Sequence, residues 1–218
     1  MNTSVFERTE VNAEILSDAT YNLTIGLVLC WGFLANWAMV SFIPFELLAG
    51  INKWVFFIGY FACCFLGLYL FTSSDKPAVS FAGYNLVVIP FGFIICMVVG
   101  SANSAVVESA VATTGMVTLV MMMLGTMYPA FFLSIGRALF MALIAAIVVE
   151  LVTLFIFKTH HTIIDYAVAL IFCGYIGFDW ARANQIPKTM DNAIDSAAAL
   201  YMDIINLFLR LVRIMSQR

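Results

Sequence analysis

The sequence predicts an all-α integral membrane protein of seven transmembrane helices, with almost no water-soluble part. Three observations carry that prediction: a composition too poor in charge for a water-facing surface, repeated apolar runs of bilayer-spanning length, and very short connections. Of the 218 residues, 63% are hydrophobic and only 11% charged, against about 25% charged in a typical soluble domain. A bilayer core about 30 Å thick takes about 20 apolar residues per helix. Runs of that length without alternation exclude a β-barrel, the other way to satisfy the backbone in lipid.

Cutting the chain at polar and Pro/Gly punctuation gives the spans in order. They are Tyr21–Ile43, Trp54–Thr72, Phe81–Gly100, Ala105–Met127, Ile135–Phe157, Thr162–Arg182 and Ile194–Met215. The links Pro44–Lys53, Ser73–Ser80, Ser101–Ser104, Tyr128–Ser134, Lys158–His161 and Ala183–Ala193 leave no room for a folded extramembrane domain. Residues 1–20 form a polar N-terminal segment holding Glu7, Glu10, Glu14 and Asp18. With no basic region ahead of the apolar core, no cleavable signal is expected, and the first span doubles as the insertion signal. Residues 21–218 then form a single seven-helix transmembrane domain in the lipid bilayer. Seven spans place the termini on opposite sides. One side collects Arg8, Lys76, Arg137, Arg182 and Lys188, the other Lys53, Lys158, Arg210, Arg213 and Arg218, so basic residues give no orientation. A net charge of -3 does not argue for nucleic acid.

Several residue types invite a functional reading and have a plainer one. Cys30, Cys63, Cys64, Cys96 and Cys173 all fall inside apolar runs without metal-ligand spacing, and read as small buried hydrophobes. Met121, Met122 and Met123, with Met116 and Met127, read as packing residues, because three consecutive positions cannot share one helix face. His160 and His161 read as solvated loop residues. The sequon Asn22-Leu23-Thr24 abuts the first span and reads as chance.

The informative residues are ionisable groups at membrane depth. Spans one to three contain none. Glu108, Arg137 and Asp165 lie within a turn of a span end and are expected to reach the interface. Glu150, Asp179 and Asp203 lie deeper, where an Asp costs about 2.5–3.5 kcal/mol on insertion scales and normally faces the bundle interior. In span seven, at about 100° per residue from Asp195, Asn206 lies near 20°, Arg210 near 60°, Asp203 near 80° and Arg213 near 0°. Leu200, Ile204, Leu207 and Leu211 occupy the opposite side, so the polar stripe should face other helices or water. Phe172 and Asp165 lie seven and fourteen residues before Asp179, on nearly its face.

Asp179 and Asp203 belong to one helical hairpin, and a turn centred near Asp191 would place them level. If they meet, two carboxylates in a low-dielectric site cannot both ionise cheaply and titrate as one coupled unit. The alternative is that each separately hydrogen-bonds a neighbouring helix.

The C-terminal stretch Tyr166–Met215 carries a resemblance. Phe178-Asp179 ends span six, and span seven reads Leu200-Tyr201-Met202-Asp203-Ile204-Ile205-Asn206-Leu207-Phe208, with Arg213-Ile214 after it. This is similar to the Bax inhibitor-1 family of seven-helix membrane proteins, bacterial type, with an aromatic-Asp pair and L-Y-L-D-I-I-N-L-F in those places. Met202 is the one departure in that run; Gly83–Gly92 and Thr118–Thr126 are weaker compatible stretches. The resemblance implies a multi-pass protein of the bacterial plasma membrane, acting as a pH-sensitive calcium leak with possible calcium/proton exchange. It implies that Asp179 and Asp203 form a di-aspartyl proton sensor and transient calcium contact, in a pore whose span seven is enclosed by the other six. Asp195, Asn206, Arg210, Arg213 and Glu150 are supporting pore candidates; Glu150 either lines the pore or pairs with a neighbour. Some bacterial members end span two with an arginine cluster that pairs with the two aspartates. Here Thr72-Ser73-Ser74-Asp75-Lys76 offers only Lys76.

A leak is physically coherent, since calcium prefers hard oxygen ligands and protonation of a carboxylate weakens that attraction. No cofactor is implied, calcium being the transported ion, and no nucleophile-base pair or nucleotide loop points to an enzyme. The other class is a non-conducting regulator that binds a membrane-protein partner such as a protease or survival factor. A retinal receptor needs a lysine inside the last span, and span seven has none.

Overall fold

The computed structural model describes residues 13–158 and 162–217. These residues form α1 (Asp18–Phe42), a short α2 (Phe45–Ala49), α3 (Lys53–Ser73), α4 (Pro77–Ser101), α5 (Ser104–Met127), α6 (Pro129–Val152), α7 (Thr162–Ala183) and α8 (Met190–Ser216). A π-helical turn, Thr153–Phe157, continues α6, and no strand occurs among the described residues. Glu7, Glu10, His160 and His161 lie outside them.

Each expected run coincides with one long helix, and α2 occupies the first link. The largest difference is the start of α6, which begins at Pro129 rather than Ile135. Proline suits the first helical position, because its missing N–H would have no partner there and its φ is already helical. Side-chain caps fix other starts: Ser17 accepts from Thr20 N–H, Asn52 from Trp54 N–H and Asn103 from Ala105 N–H.

Helices α1, α4, α5, α6 with its π turn, and α7 are long and apolar enough to cross a bilayer. In α3 the apolar stretch Trp54–Leu70 is shorter. Helix α8 is 27 residues long but carries Asp191, Asp195, Asp203, Arg210 and Arg213. The protein is a multi-pass membrane protein. Glu108 and Arg137 are exposed, consistent with reaching the interface. Of the cysteines, only Cys96 is buried; Cys30 is exposed and the others intermediate, which corrects the expectation that all are core residues. An apolar side chain facing lipid needs no protein cover. Likewise Met116, Met123 and Met127 are exposed and Met121 and Met122 half-buried, so the methionine run contributes little internal packing.

The chain divides into two compact units, both drawing on α8. The first holds α1–α4 and α8 through Tyr201; the second holds α5–α7 and α8 from Met202. In the first unit α4 packs against α1, α2 and α3. Helices α3 and α4 approach so closely at Gly67 that a β-carbon there would lie 2.6 Å from the Gly83 carbonyl oxygen. Small residues serve this purpose in lipid, where close backbone approach replaces a hydrophobic driving force.

In the second unit α6 and α7 exchange knobs and glycine holes. A β-carbon on Gly177 would sit 2.2 Å from the Phe132 ring, and one on Gly136 would sit 2.4 Å from the Phe178 ring. Leu139 fills the space over Gly174 in the same way, at 2.6 Å. On α5, Thr126 Oγ1 accepts from Trp180 Nε1–H at 2.8 Å. These contacts fix the rotation of α7 about its axis, and with it the direction of Asp179, which follows Phe178.

Candidate functional site

In the second unit, α7 and α8 bring Asp179 and Asp203 together. Both are 7% exposed, and their carboxyl groups lie within hydrogen-bonding reach of each other. Two carboxyl groups hydrogen-bond only when one carries a proton, so the contact suits a pair sharing a single proton. Arg182, three residues on along α7, places Nη2 2.9 Å from Asp179 Oδ1. Its guanidinium also covers the Phe178 ring at 5.3 Å, the ring seated on Gly136. Tyr175, one turn before Asp179, is an electrostatic neighbour of both carboxyls. The Oδ2 atom of Asp203 is buried with no hydrogen-bond partner among the described residues. A buried oxygen in that condition is costly unless a proton or cation engages it.

Nearer the C-terminal end of α8, a second group gathers four charges. Arg210 forks onto Glu150 of α6, with Nη1–Oε1 at 2.8 Å and Nη2–Oε2 at 2.7 Å. Its Nη1 also reaches Asp165 Oδ1 of α7 at 2.8 Å. Arg213 Nη1 lies 3.2 Å from both Glu150 Oε1 and Asp165 Oδ1. Glu150 therefore pairs with two neighbours, Arg210 and Arg213. Asp165 does not reach the interface as expected: it is fully buried. Its position in the first turn of α7 turns it onto α8, where the two arginines hold it.

The remaining candidates are separate from these groups. Asn206 donates from Nδ2 to the Met202 carbonyl of its own helix at 2.7 Å. Asp195, the second residue of the expected span, is 1% exposed, because α8 begins earlier, at Met190, and buries its N-terminal half. Lys76 is exposed just ahead of α4, where its backbone N–H donates to Ser74 Oγ at 3.2 Å. The cation found beside Asp179 is Arg182. Its spacing of three residues was a readable signal, since i, i+3 partners share a helix face.

Within the first unit, Tyr201 of the quoted motif is a packing hub. Its ring meets Tyr84 at 5.4 Å, Phe33 at 5.8 Å and Phe91 at 6.3 Å, and Asn36 Nδ2 donates to its hydroxyl. Tyr84 in turn donates to the Val28 carbonyl at 3.0 Å. Asp191 accepts from Ser80 Oγ at 2.7 Å. Among the described residues no three His, Cys, Asp or Glu side chains gather as a metal site.

Comparison with known proteins agrees with this frame. The family profile described as inhibitor of apoptosis-promoting Bax1 matches residues 15–218. An uncharacterized protein of Helicobacter pylori is 30% identical over 167 residues, covering 74% of this chain and 70% of its own. Protein LIFEGUARD 3 of Arabidopsis thaliana is 28% identical over 213 residues, covering 85% and 84%. An uncharacterized membrane protein of Vibrio cholerae is 33% identical over 111 residues, covering 50% and 49%.

Proposed function

Because the chain belongs to the Bax inhibitor-1 family, we propose that it is a pH-sensitive calcium leak of a bacterial plasma membrane, governed by Asp179 and Asp203. The observation that carries this reading is the buried contact between the two carboxyls, with one oxygen of Asp203 left without a hydrogen-bond partner among the described residues. With one shared proton, Asp179, Asp203 and Arg182 sum to no net charge; without it they sum to -1. Loss of that proton turns a neutral group into an oxygen-rich site that attracts a hard divalent cation. In this reading calcium is cargo, protons regulate, and neither a cofactor nor a catalytic residue is needed.

We place α8 in the middle of a seven-span bundle with termini on opposite sides. Burial on both its polar and apolar faces supports this, with Asp195 at 1% exposure and Leu200 and Leu207 at 0% and 1%. Cysteine labelling from either side of the membrane tests the topology, and termini labelled from one side would refute it.

The activity is tested by calcium flux into liposomes holding the purified protein, between about pH 5 and pH 8, the range in which a buried carboxyl pair titrates. Flux above that of empty liposomes, varying with pH, is expected. Flux equal to that of empty liposomes at every pH would overturn the leak and favour the second reading, a non-conducting regulator of another membrane protein. The outward face of α6, whose apolar window has no buried residue, offers helix-packing surface for that role.

A further inference from the structure

In the first unit, α3 and α4 leave a cavity of about 320 Å³ between them. Val55, Phe56 and Tyr60 of α3 line one side, and Ile89, Pro90 and Phe93 of α4 the other. Water is a poor occupant for such a space, because a buried water needs about two to four polar partners. The Tyr60 hydroxyl is already hydrogen-bonded to Cys64. An apolar void left empty destabilises a fold in proportion to its volume. Hydrocarbon is the filling that these walls suit. The source of it is at hand, since Val55 and Ile89 are 66% and 47% exposed and make the cavity continuous with the lipid-facing surface.

The depth of the cavity identifies which hydrocarbon. Along α3 its lining runs from Ile51, just ahead of the helix, to Cys63, ten residues after the first residue, Lys53. Ten residues rise about 15 Å, half of a hydrocarbon core about 30 Å thick. With α3 crossing the bilayer, the cavity starts at the membrane surface and ends at mid-depth. Trp54, 76% exposed beside the start, is a residue type that collects at that surface. Beyond Cys63 the helices close up at Gly67, where a β-carbon would lie 2.6 Å from the Gly83 carbonyl oxygen. A phospholipid tail fills the depth from surface to midplane, whereas a helix of a second copy would pack along the whole span.

We propose that this cavity is a binding site for one acyl chain of a bilayer phospholipid, recognised by its tail and not by its headgroup. The inference rests on α3 crossing the bilayer and is independent of calcium flux. A chain seated there packs against Tyr60, whose ring meets Phe91 at 5.7 Å, and Phe91 meets Tyr201 of α8 at 6.3 Å.

Gly59 supplies the test. It lies on the cavity wall, and a β-carbon there would meet nothing within 4 Å, so Gly59→Phe fills the space without a clash. Gly26→Phe, at a position equally free of contacts on α1, adds the same side chain elsewhere. Each chain is purified in detergent, checked for folding by gel filtration, incubated with palmitoyl-oleoyl phosphatidylglycerol and weighed intact by native mass spectrometry. The wild type and Gly26→Phe should each carry one lipid that Gly59→Phe lacks. Palmitoyl-oleoyl phosphatidylcholine should be held equally well, and dihexanoyl phosphatidylglycerol, with the headgroup but short tails, should not be held. Equal lipid on folded Gly59→Phe and wild type overturns the site, as does equal loss from Gly26→Phe. Retention of the dihexanoyl lipid overturns recognition by the tail. A wild-type dimer that Gly59→Phe abolishes overturns the proposal in favour of a second copy as occupant. If Gly59→Phe fails to fold, Gly59→Leu decides by the same comparison.

Discussion

The second unit holds two charged groups on one face of α8, and they are built to opposite rules. Glu150, Asp165, Arg210 and Arg213 balance, two acids against two bases, with each arginine touching both acids. Asp179, Asp203 and Arg182 do not balance, and Arg182 pairs with Asp179 at 2.9 Å. A balanced group gains nothing from changing its charge and is suited to hold helices in register. On the proposed reading, the unbalanced group is the one that changes charge, as a sensor must. On that reading the same helix carries a fixed point and a variable one about two turns apart.

That contrast is sharpest in stability. Arg210→Met takes from Glu150 and Asp165 the closer of their two arginine partners, leaves two acids against Arg213 alone, and should cost about 3 kcal/mol, as breaking a buried pair does. Asp203→Asn keeps the shape and a hydrogen bond to Asp179 while removing a like-charge neighbour, so it should change stability by less than about 1 kcal/mol. Thermal unfolding of the detergent-solubilised variants measures both. Equal losses would erase the distinction between the two groups.

The next effect acts on what the groups share. Gly177→Val inserts methyl groups where the Phe132 ring already lies 2.2 Å from the first added carbon. Overpacking of this kind costs about 1–3 kcal/mol. Because the contact sets the rotation of α7, the variant should also shift the pH response of flux, whereas Gly26→Ala, where nothing lies within 4 Å of the added carbon, should do neither. An unfolding temperature unchanged in Gly177→Val would show that the α6–α7 interlock does not position Asp179.

How much of this was legible in the sequence depends on the range of the interaction concerned. The helices were legible because bilayer thickness sets a run length that Trp54–Thr72 or Ala105–Met127 displays without help from the rest of the chain. Asp179 and Asp203 were legible because a charge at membrane depth is costly enough to stand out. The fate of Asp165 was not, because a carboxylate one turn inside a helix is equally compatible with water and with a buried arginine. Its partner, Arg210, lies 45 residues away. The start of α8 misled for a related reason: the polar residues Thr189, Asp191 and Asn192 hid it, so a buried turn resembled a loop. Arg182 was visible as an i, i+3 neighbour of Asp179 yet was counted only as a charge at a span end. Asn36, bonded to Tyr201, had no local signal beyond being a polar residue in an apolar run.

The pH response distinguishes the groups more finely than stability does. Asp179→Asn and Asp203→Asn should each flatten the dependence of calcium flux on pH, because either change removes one half of the coupled pair. The double variant should be little flatter than either single one, since residues acting as a unit are not additive. Glu150→Gln, in the balanced group, should leave the pH dependence of flux in place. Full pH sensitivity in Asp203→Asn would refute the pair as sensor, and a flat response in Glu150→Gln would move the sensor to the balanced group.

The smallest effect is expected at Asp195, and it tests whether acidity along α8 matters in general or only at the pair. Asp195 shares the polar arc of Asp203 and is even more buried, at 1% against 7% exposure. Burial alone would therefore make it an equal candidate. What it lacks is a place in the coupled group: it lies eight residues earlier, about 12 Å along the axis, in the first unit rather than the second. It is also already engaged by its surroundings, so an isosteric amide should preserve much of its packing. Asp195→Asn should leave the pH dependence of flux as in wild type and shift stability by about 1 kcal/mol or less. Flux measured against pH beside Asp203→Asn decides between the two views. A flattening as large as that of Asp203→Asn would mean that every buried carboxylate on α8 contributes to sensing, and that contact with a second carboxylate confers nothing.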